Sequence, residues 1–130
     1  MAFYVDTSAL VKLVVAESET TAFRSWLDES DRELVACDLA RTELMRAVRR
    51  AMPDRVLQAR GVLDALTLLH VTPAVFEDAG RLDPSGLRSL DAIHLSSALD
   101  LGDDLDGLIT YDDRLADAAV SHGIAVLAPR

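Results

Sequence analysis

Four acids in this chain stand in positions where a carboxylate could do chemistry. Asp6 closes the apolar run Ala2-Phe-Tyr-Val5, and Asp112 follows Leu108-Ile-Thr-Tyr111 with Asp113 beside it. Glu43 lies in Leu39-Ala-Arg-Thr-Glu-Leu-Met-Arg-Ala-Val48, next to a stripe made by Leu39, Leu44, Ala47 and Val48. Asp91 shares a helical face with Leu95 and Ala98, at spacings of four and seven. Burying an unpaired carboxylate is costly, so acids in apolar company are usually paired or bound to a metal. If the four met in one crevice they would repel one another. At about 4 Å and an effective dielectric near 20, each like pair costs roughly 4 kcal/mol. Few basic residues flank these acids in sequence, so the expected neutraliser is a hard divalent cation with oxygen ligands, Mg²⁺ or Mn²⁺. Such an ion turns a water into a nucleophile and offsets the charge that builds on a phosphate. The chemistry indicated is metal-assisted hydrolysis of a phosphodiester. Each acid also has an ordinary explanation: Asp91 sits in a first turn, where the helix dipole favours negative charge, and Asp112 can be a simple cap. The combination carries the weight.

These acids need a scaffold, and the sequence supplies one. Ala2–Asp6 reads as a short buried strand, with Thr7 and Ser8 capping a helix to about Val15. Ser18 caps a second helix through Leu27, and Leu34–Cys37 is a second strand. Asp38 precedes a helix over Leu39–Ala51, and Pro53 opens another to about Leu66. Leu68–Val71 is a third strand, and Thr72-Pro73 begins a helix to about Leu82. Ser89 caps the helix Leu90–Leu101, which Gly102 ends. Gly107–Thr110 is a fourth strand, a helix from Asp112 or Asp113 stops at Gly123, and Ile124–Leu127 is a fifth strand. Short apolar strands alternating with helices predict an α/β fold around a mostly parallel sheet. Ligands of such sheets sit beyond the carboxyl ends of the strands, where Asp6 and Asp112 are placed.

The chain has 130 residues, half of them apolar, which favours one domain over residues 1–130 with a real core. The longest apolar runs are five residues, against the roughly 20 a membrane helix needs, and no secretory signal is visible. A cytoplasmic protein is expected. Cys37 is the only cysteine, so neither an internal disulfide nor a thiolate zinc cage can form. The net charge of −9 argues against indiscriminate nucleic-acid binding, though a bound cation would supply positive charge locally.

The same residues carry a family resemblance. Tyr4-Val-Asp-Thr-Ser-Ala-Leu-Val-Lys-Leu13, Glu43, Leu87-Arg-Ser-Leu-Asp-Ala-Ile-His-Leu-Ser-Ser-Ala98 and Thr110-Tyr-Asp-Asp-Arg-Leu115 together resemble the motifs of the PIN-domain ribonucleases. Within that family the chain is most similar to the VapC-type toxins of bacterial type II toxin–antitoxin pairs. The resemblance covers nearly the whole chain. It implies a three-layer sandwich with a five-stranded, mostly parallel sheet flanked by helices, and a Mg²⁺- or Mn²⁺-dependent endoribonuclease. It implies Asp6 and Asp91 as principal metal ligands, with Glu43 and Asp112 completing the acidic quartet. Asp112 is preferred over Asp113 for the last position, and Thr7, Ser8 and Thr110 are candidates for orienting waters or backbone. The implied partners are an RNA substrate, a VapB-type antitoxin whose C-terminal segment occupies the groove, and a second copy in a homodimer. The alternative is a PIN-like module that binds RNA or protein without cutting.

Other features are weighed against plainer readings. Arg41–Arg60 holds six arginines (41, 46, 49, 50, 55 and 60) against Glu43 and Asp54, a local balance of +4. They either contact RNA phosphates or form a solvated face. Asp103, Asp104 and Asp106 read as a solvated loop. His94 is read as a packed core histidine, since a hard-metal site does not need it. Phe23 and Trp26 read as core or dimer contacts. A receiver domain and a haloacid-type phosphatase both require a late lysine, and none follows Lys12. No glycine precedes Gly61, which excludes an N-terminal phosphate-binding glycine loop.

Overall fold

The structure, a computed structural model, describes residues 2–130. Five strands form the sheet: β1 Ala2–Val5, β2 Glu33–Cys37, β3 Thr67–Leu69, β4 Leu105–Ile109 and β5 Val126–Leu127. Their spatial order is β3-β2-β1-β4-β5, and every pairing is parallel. Seven helices connect them: α1 Thr7–Leu10, α2 Thr20–Asp28, α3 Leu39–Ala51, α4 Val56–Ala65, α5 Pro73–Arg81, α6 Ser89–Asp100 and α7 Asp113–Ser121.

Side chains alternate across a strand, and here both faces are covered. Val5 and Ile109 pack with Leu10, Phe23, Leu44, Val48 and Leu63, from α1 to α4 and on one side of the sheet. Tyr4, Val35 and Leu108 pack with Leu95, Leu115 and Ala119, from α6 and α7 on the other. The architecture is therefore the three-layer sandwich that the family resemblance implies, built around the parallel sheet that the apolar strands predict. Phe23 is fully buried and Trp26 packs against the first cluster, so both are core side chains.

The chain leaves β1 for β2 on one side, then returns across the sheet to place β4 on the other. The carboxyl ends of β1 and β4 thus flank the point where the strand order reverses, which opens a crevice there. Val5 aligns with Ile109 in this pairing, so Asp6 and Thr110 emerge side by side.

Several boundaries differ from expectation, for local reasons. Asp6 itself caps α1 by accepting from the Ala9 N–H, so Thr7 and Ser8 are released from capping. The helix is a single turn that tightens into a 3₁₀ segment at Val11–Leu13, short of Val15. Pro53 opens a 3₁₀ turn, and α4 starts only at Val56. Glu19 occupies the α2 cap position expected for Ser18, and Arg88 that of α6 in place of Ser89, neither with a side-chain cap bond. β3 ends at Leu69 and β5 shrinks to two residues, because each has only one neighbouring strand. Gly102 and Gly123 adopt φ of +55° and +82°, left-handed values that suit glycine where helices stop.

Candidate active site

Each of the four acids is delivered by a different element. Asp6 follows β1, and its buried carboxylate is fully engaged: Oδ1 accepts from Ser8 Oγ at 2.7 Å and from the Ala9 N–H at 3.2 Å, and Oδ2 from Thr110 Oγ1 at 2.8 Å. Burial pushes Asp6 above the usual carboxylate range, against the pull of the Ser8 and Thr110 hydroxyls and the His94 charge. Thr110 Oγ1 also accepts from the Asp112 N–H at 3.1 Å, which couples the end of β4 to Asp6. Asp112 caps α7, with Oδ1 accepting from the N–H groups of Arg114 and Leu115 at 2.9 and 3.2 Å.

Glu43 stands in the second turn of α3. Its Oε1 accepts from Thr7 Oγ1 at 2.9 Å and from His94 Nε2 at 2.6 Å. Burial alone would raise its pKa, but the His94 bond and charge, with Thr7, hold it below the usual carboxylate value. His94 is 2 % exposed, and burial pulls its pKa down; contacts to Cys37 and Glu43 outweigh this and push it up to about 10. Its Nδ1 lies 2.8 Å from the Tyr4 hydroxyl, which accepts the Cys37 N–H at 3.0 Å.

Asp91 occupies the first turn of α6, its side chain 16 % exposed. Arg88 Nε donates to Asp91 Oδ2 at 3.1 Å, and Arg88 Nη2 donates to Asp112 Oδ2 at 3.1 Å. One guanidinium therefore bridges two of the four acids. Glu43, Arg88, Ser89, Leu90 and Asp91 line one recess of about 330 Å³. A larger recess of about 500 Å³ opens between the Asp83–Leu87 loop and α7, and none of the four acids lines it.

The contacts close into a ring. Asp6 reaches Asp112 through Thr110; Asp112 reaches Asp91 through Arg88; the helix carrying Asp91 also carries His94, which holds Glu43; and Glu43 returns to Thr7, the chain neighbour of Asp6. Asp113 lies outside the ring with its side chain exposed, so the structure gathers Asp112 and not its neighbour. Thr7, Ser8 and Thr110 act on the carboxylates themselves, more directly than by holding waters.

Two basic side chains depart from the expectation. The cluster is not left for a small ion alone to neutralise: Arg88 and His94 already stand among the acids. Arg88 lies three residues before Asp91, a spacing that puts both on one side of a helical turn. His94 is the expected core histidine by burial, yet its other nitrogen reaches the site. Its i+3 spacing from Asp91 was the available signal. Asp103 and Asp104 are exposed, as a solvated loop requires, whereas Asp106 is half-buried within β4.

The donor set suits a hard cation: every free carboxylate oxygen on the ring is of the type Mg²⁺ and Mn²⁺ prefer. The guanidinium between Asp91 and Asp112 marks the spot where positive charge is already favoured. As the side chains stand, no three His, Cys, Asp or Glu groups among the described residues are close enough together to hold one ion. An ion held by these acids would therefore require side-chain rotation and displacement of Arg88.

Comparison with known proteins identifies the family. The PIN domain family model matches residues 3–121. Ribonuclease VapC46 of Mycobacterium tuberculosis is 47% identical over 128 residues, covering 98% of both chains. Ribonuclease VapC47 of the same species is 40% identical over 130 residues, covering 97% of this chain and 96% of the relative. Among solved structures, Mycobacterium tuberculosis VapC20, a sarcin-ricin loop cleaving toxin, superposes with a TM-score of 0.78 at 15% identity, covering 98% of this chain and all of that one. A toxin–antitoxin complex from Klebsiella pneumoniae superposes with a TM-score of 0.74 at 21% identity, covering 100% and 98%. With the motifs in order and the relatives matched almost end to end, the chain belongs to the PIN-domain family and, within it, to the VapC ribonucleases.

Proposed function

We propose that this protein is the toxin of a type II toxin–antitoxin pair and a Mg²⁺- or Mn²⁺-dependent endoribonuclease acting in the cytoplasm. The observation that supports this most is the ring of Asp6, Glu43, Asp91 and Asp112 at the carboxyl ends of β1 and β4. A divalent cation held by Asp6 and Asp91, with Glu43 and Asp112 completing its surroundings, would supply an activated water and offset charge on the phosphate.

The chain's own residues prepare that site. Ser8 and Thr110 fix both oxygens of Asp6, so the carboxylate keeps one orientation. His94 and Thr7 converge on one oxygen of Glu43 and leave the other free to accept a proton or a water. Arg88, 64 % exposed, can turn from the carboxylates toward an RNA phosphate without unfolding anything.

The partner class is supported by solved neighbours that are complexes, including VapBC2 from Rickettsia felis bound to promoter DNA. The acid-lined recess suits a basic side chain from an antitoxin's C-terminal segment. A homodimer is the other partner this reading includes, as the family resemblance implies.

The test is cleavage of RNA by the wild type, Asp6→Asn and Asp91→Asn, with Mg²⁺ and with EDTA. The expected result is cutting by the metal-loaded wild type alone, with circular dichroism unchanged in the variants. Equal cutting by the variants, or full cutting in EDTA, would overturn the reading. A folded wild type that binds RNA and never cuts it would favour a binding module.

A further inference from the structure

We propose that Arg46, Arg49 and Arg50 form a phosphate-binding track on α3 that holds the RNA backbone a few nucleotides from the bond that is cut. The inference rests on the ribonuclease reading and locates a substrate subsite within it.

Helical geometry places the track. The core face of α3 is Ala40, Leu44 and Val48. Glu43 sits about 100° to one side of Leu44, and Arg46 and Arg50 follow it by three and seven residues, close to one and two turns on. They share the side of the helix that carries the active-site glutamate. At about 1.5 Å per residue, Arg50 lies roughly 10 Å along the axis from Glu43. A stacked single strand rises about 3.4 Å per nucleotide, so that length spans about three nucleotides. Arg49 stands on the far flank of Arg46, and the three side chains wall a recess of about 260 Å³.

Charge argues in the same direction. All three arginines are exposed, and among the described residues none has a carboxylate partner. Elsewhere Arg41 pairs with Asp38 and Arg81 with Asp78. Here three unpaired guanidiniums cluster in a protein of net charge −9. A polyanion that starts at an acid cluster needs such a handhold, because the acids themselves repel it. Arginine suits phosphate by its planar fork of donors. The track contacts backbone, so it adds grip and register while leaving sequence choice to other residues.

The experiment compares Arg46→Gln/Arg50→Gln with a charge-matched control, Arg24→Gln/Arg81→Gln, in the full chain. Initial cleavage rates of a single-stranded RNA of about 20 nucleotides in Mg²⁺, at substrate well below KM, give kcat/KM across a salt series. Circular dichroism and melting check that both variants fold. Each lost phosphate contact on a single strand removes about 0.7 from the slope of log(kcat/KM) against log salt. The expected result is a slope shallower by about 1.4 in Arg46→Gln/Arg50→Gln and little change in the control. Equal slopes in the two variants overturn the track while the ribonuclease reading survives. If the wild type cuts no RNA, the reading itself falls and the track with it. Intact RNA cleavage with weakened capture of a partner protein would assign the patch to that partner and also overturn the proposal.

Discussion

His94 Nε2 donates to Glu43 Oε1 across 2.6 Å, joining a side chain that is 2 % exposed to one that lines the active-site recess. The imidazole is clamped from behind by the Tyr4 hydroxyl at 2.8 Å, and that hydroxyl is tied to the β2 backbone at Cys37. A chain of contacts thus runs from the middle of the sheet to a carboxylate of the proposed active site. On the proposed mechanism His94 would be a positioning residue, acting through Glu43.

Replacing it separates position from bulk. His94→Leu removes the donor and leaves buried polar groups unpaired, at a cost of about 1–3 kcal/mol. His94→Gln keeps an N–H donor near the Nε2 position. The expected result is a fall in kcat with little change in KM for His94→Leu, and partial recovery in His94→Gln. Equal kcat losses in the two variants would reduce His94 to a packing role.

The same pair predicts a pH dependence of stability. Against the pull of burial, Cys37 first and Glu43 with it raise the folded pKa of His94 to about 10, so the contribution of the charged imidazole is complete below its unfolded value of about 6.5 and is lost as pH rises through 10. Glu43 is lowered, so its contribution is complete above about 4.5 and is lost as pH falls through the folded value. The wild type should exceed His94→Leu in melting temperature by most between about pH 4.5 and 6.5, and by progressively less toward pH 10. A gap that stays constant from pH 6 to 10 would refute the charged pair.

Arg88 competes with any cation for Asp91 and Asp112. Exposed ion pairs are worth only about 0.2–1 kcal/mol each, and this guanidinium is largely exposed. Arg88→Gln should therefore bind Mn²⁺ tighter by a modest factor, about two- to tenfold, in calorimetric titration. It should also raise KM for RNA, since the same arginine is free to meet phosphate once displaced. Unchanged or weaker Mn²⁺ binding would show that the bridge does not oppose the ion.

Most of the scaffold was legible because the central strands β1, β2 and β4 carry short apolar runs whose residues are buried in the sheet, and such runs announce themselves. Asp6 and Asp112 were legible because they stop those runs. Boundaries drifted where one residue replaced another in the same role. Once the Asp6 carboxylate caps α1, Thr7 and Ser8 are free to hold Glu43 and Asp6. Strand order and the Asp6–Thr110 contact come from residues 104 positions apart, which no local pattern encodes. His94 reads as core because burial dominates its surroundings; its second nitrogen points where only the folded chain could show. Arg88 is adjacent in sequence to none of the four acids, and only the turn at the start of α6 brings it onto Asp91 and Asp112.

Metal binding should be visible in stability before any cleavage assay. An ion that binds only the native state adds about 2.7 kcal/mol at a hundred times its Kd, or roughly 10 °C in Tm for a chain of this size. Mn²⁺ should raise the melting temperature of the wild type, and EDTA should reverse it. Asp6→Asn should lose most of the shift, while Asp103→Asn in the exposed loop should keep it. An equal shift in both variants would move the ion away from the ring.

The site also depends on a glycine that touches none of its acids. Gly107 lies in β4 with its α-carbon against β5. A Cβ there would meet Leu127 Cδ1 at 2.6 Å and the Ala125 carbonyl oxygen at 3.1 Å. The leucine tip can rotate, but the carbonyl is fixed, because it accepts the Leu108 N–H at 2.9 Å. Gly107→Ala must push β5 outward or shift β4. Overpacking of this kind costs about 1–3 kcal/mol. β4 carries Thr110, whose hydroxyl holds Asp6, so displacement should reach the active site. Gly107→Ala is expected to melt several degrees lower and to cleave RNA more slowly, whereas Gly61→Ala, with nothing within 4 Å of the added carbon, should do neither. Melting curves for the two alanine variants, run beside cleavage rates, decide whether the β4–β5 contact governs the placement of Thr110.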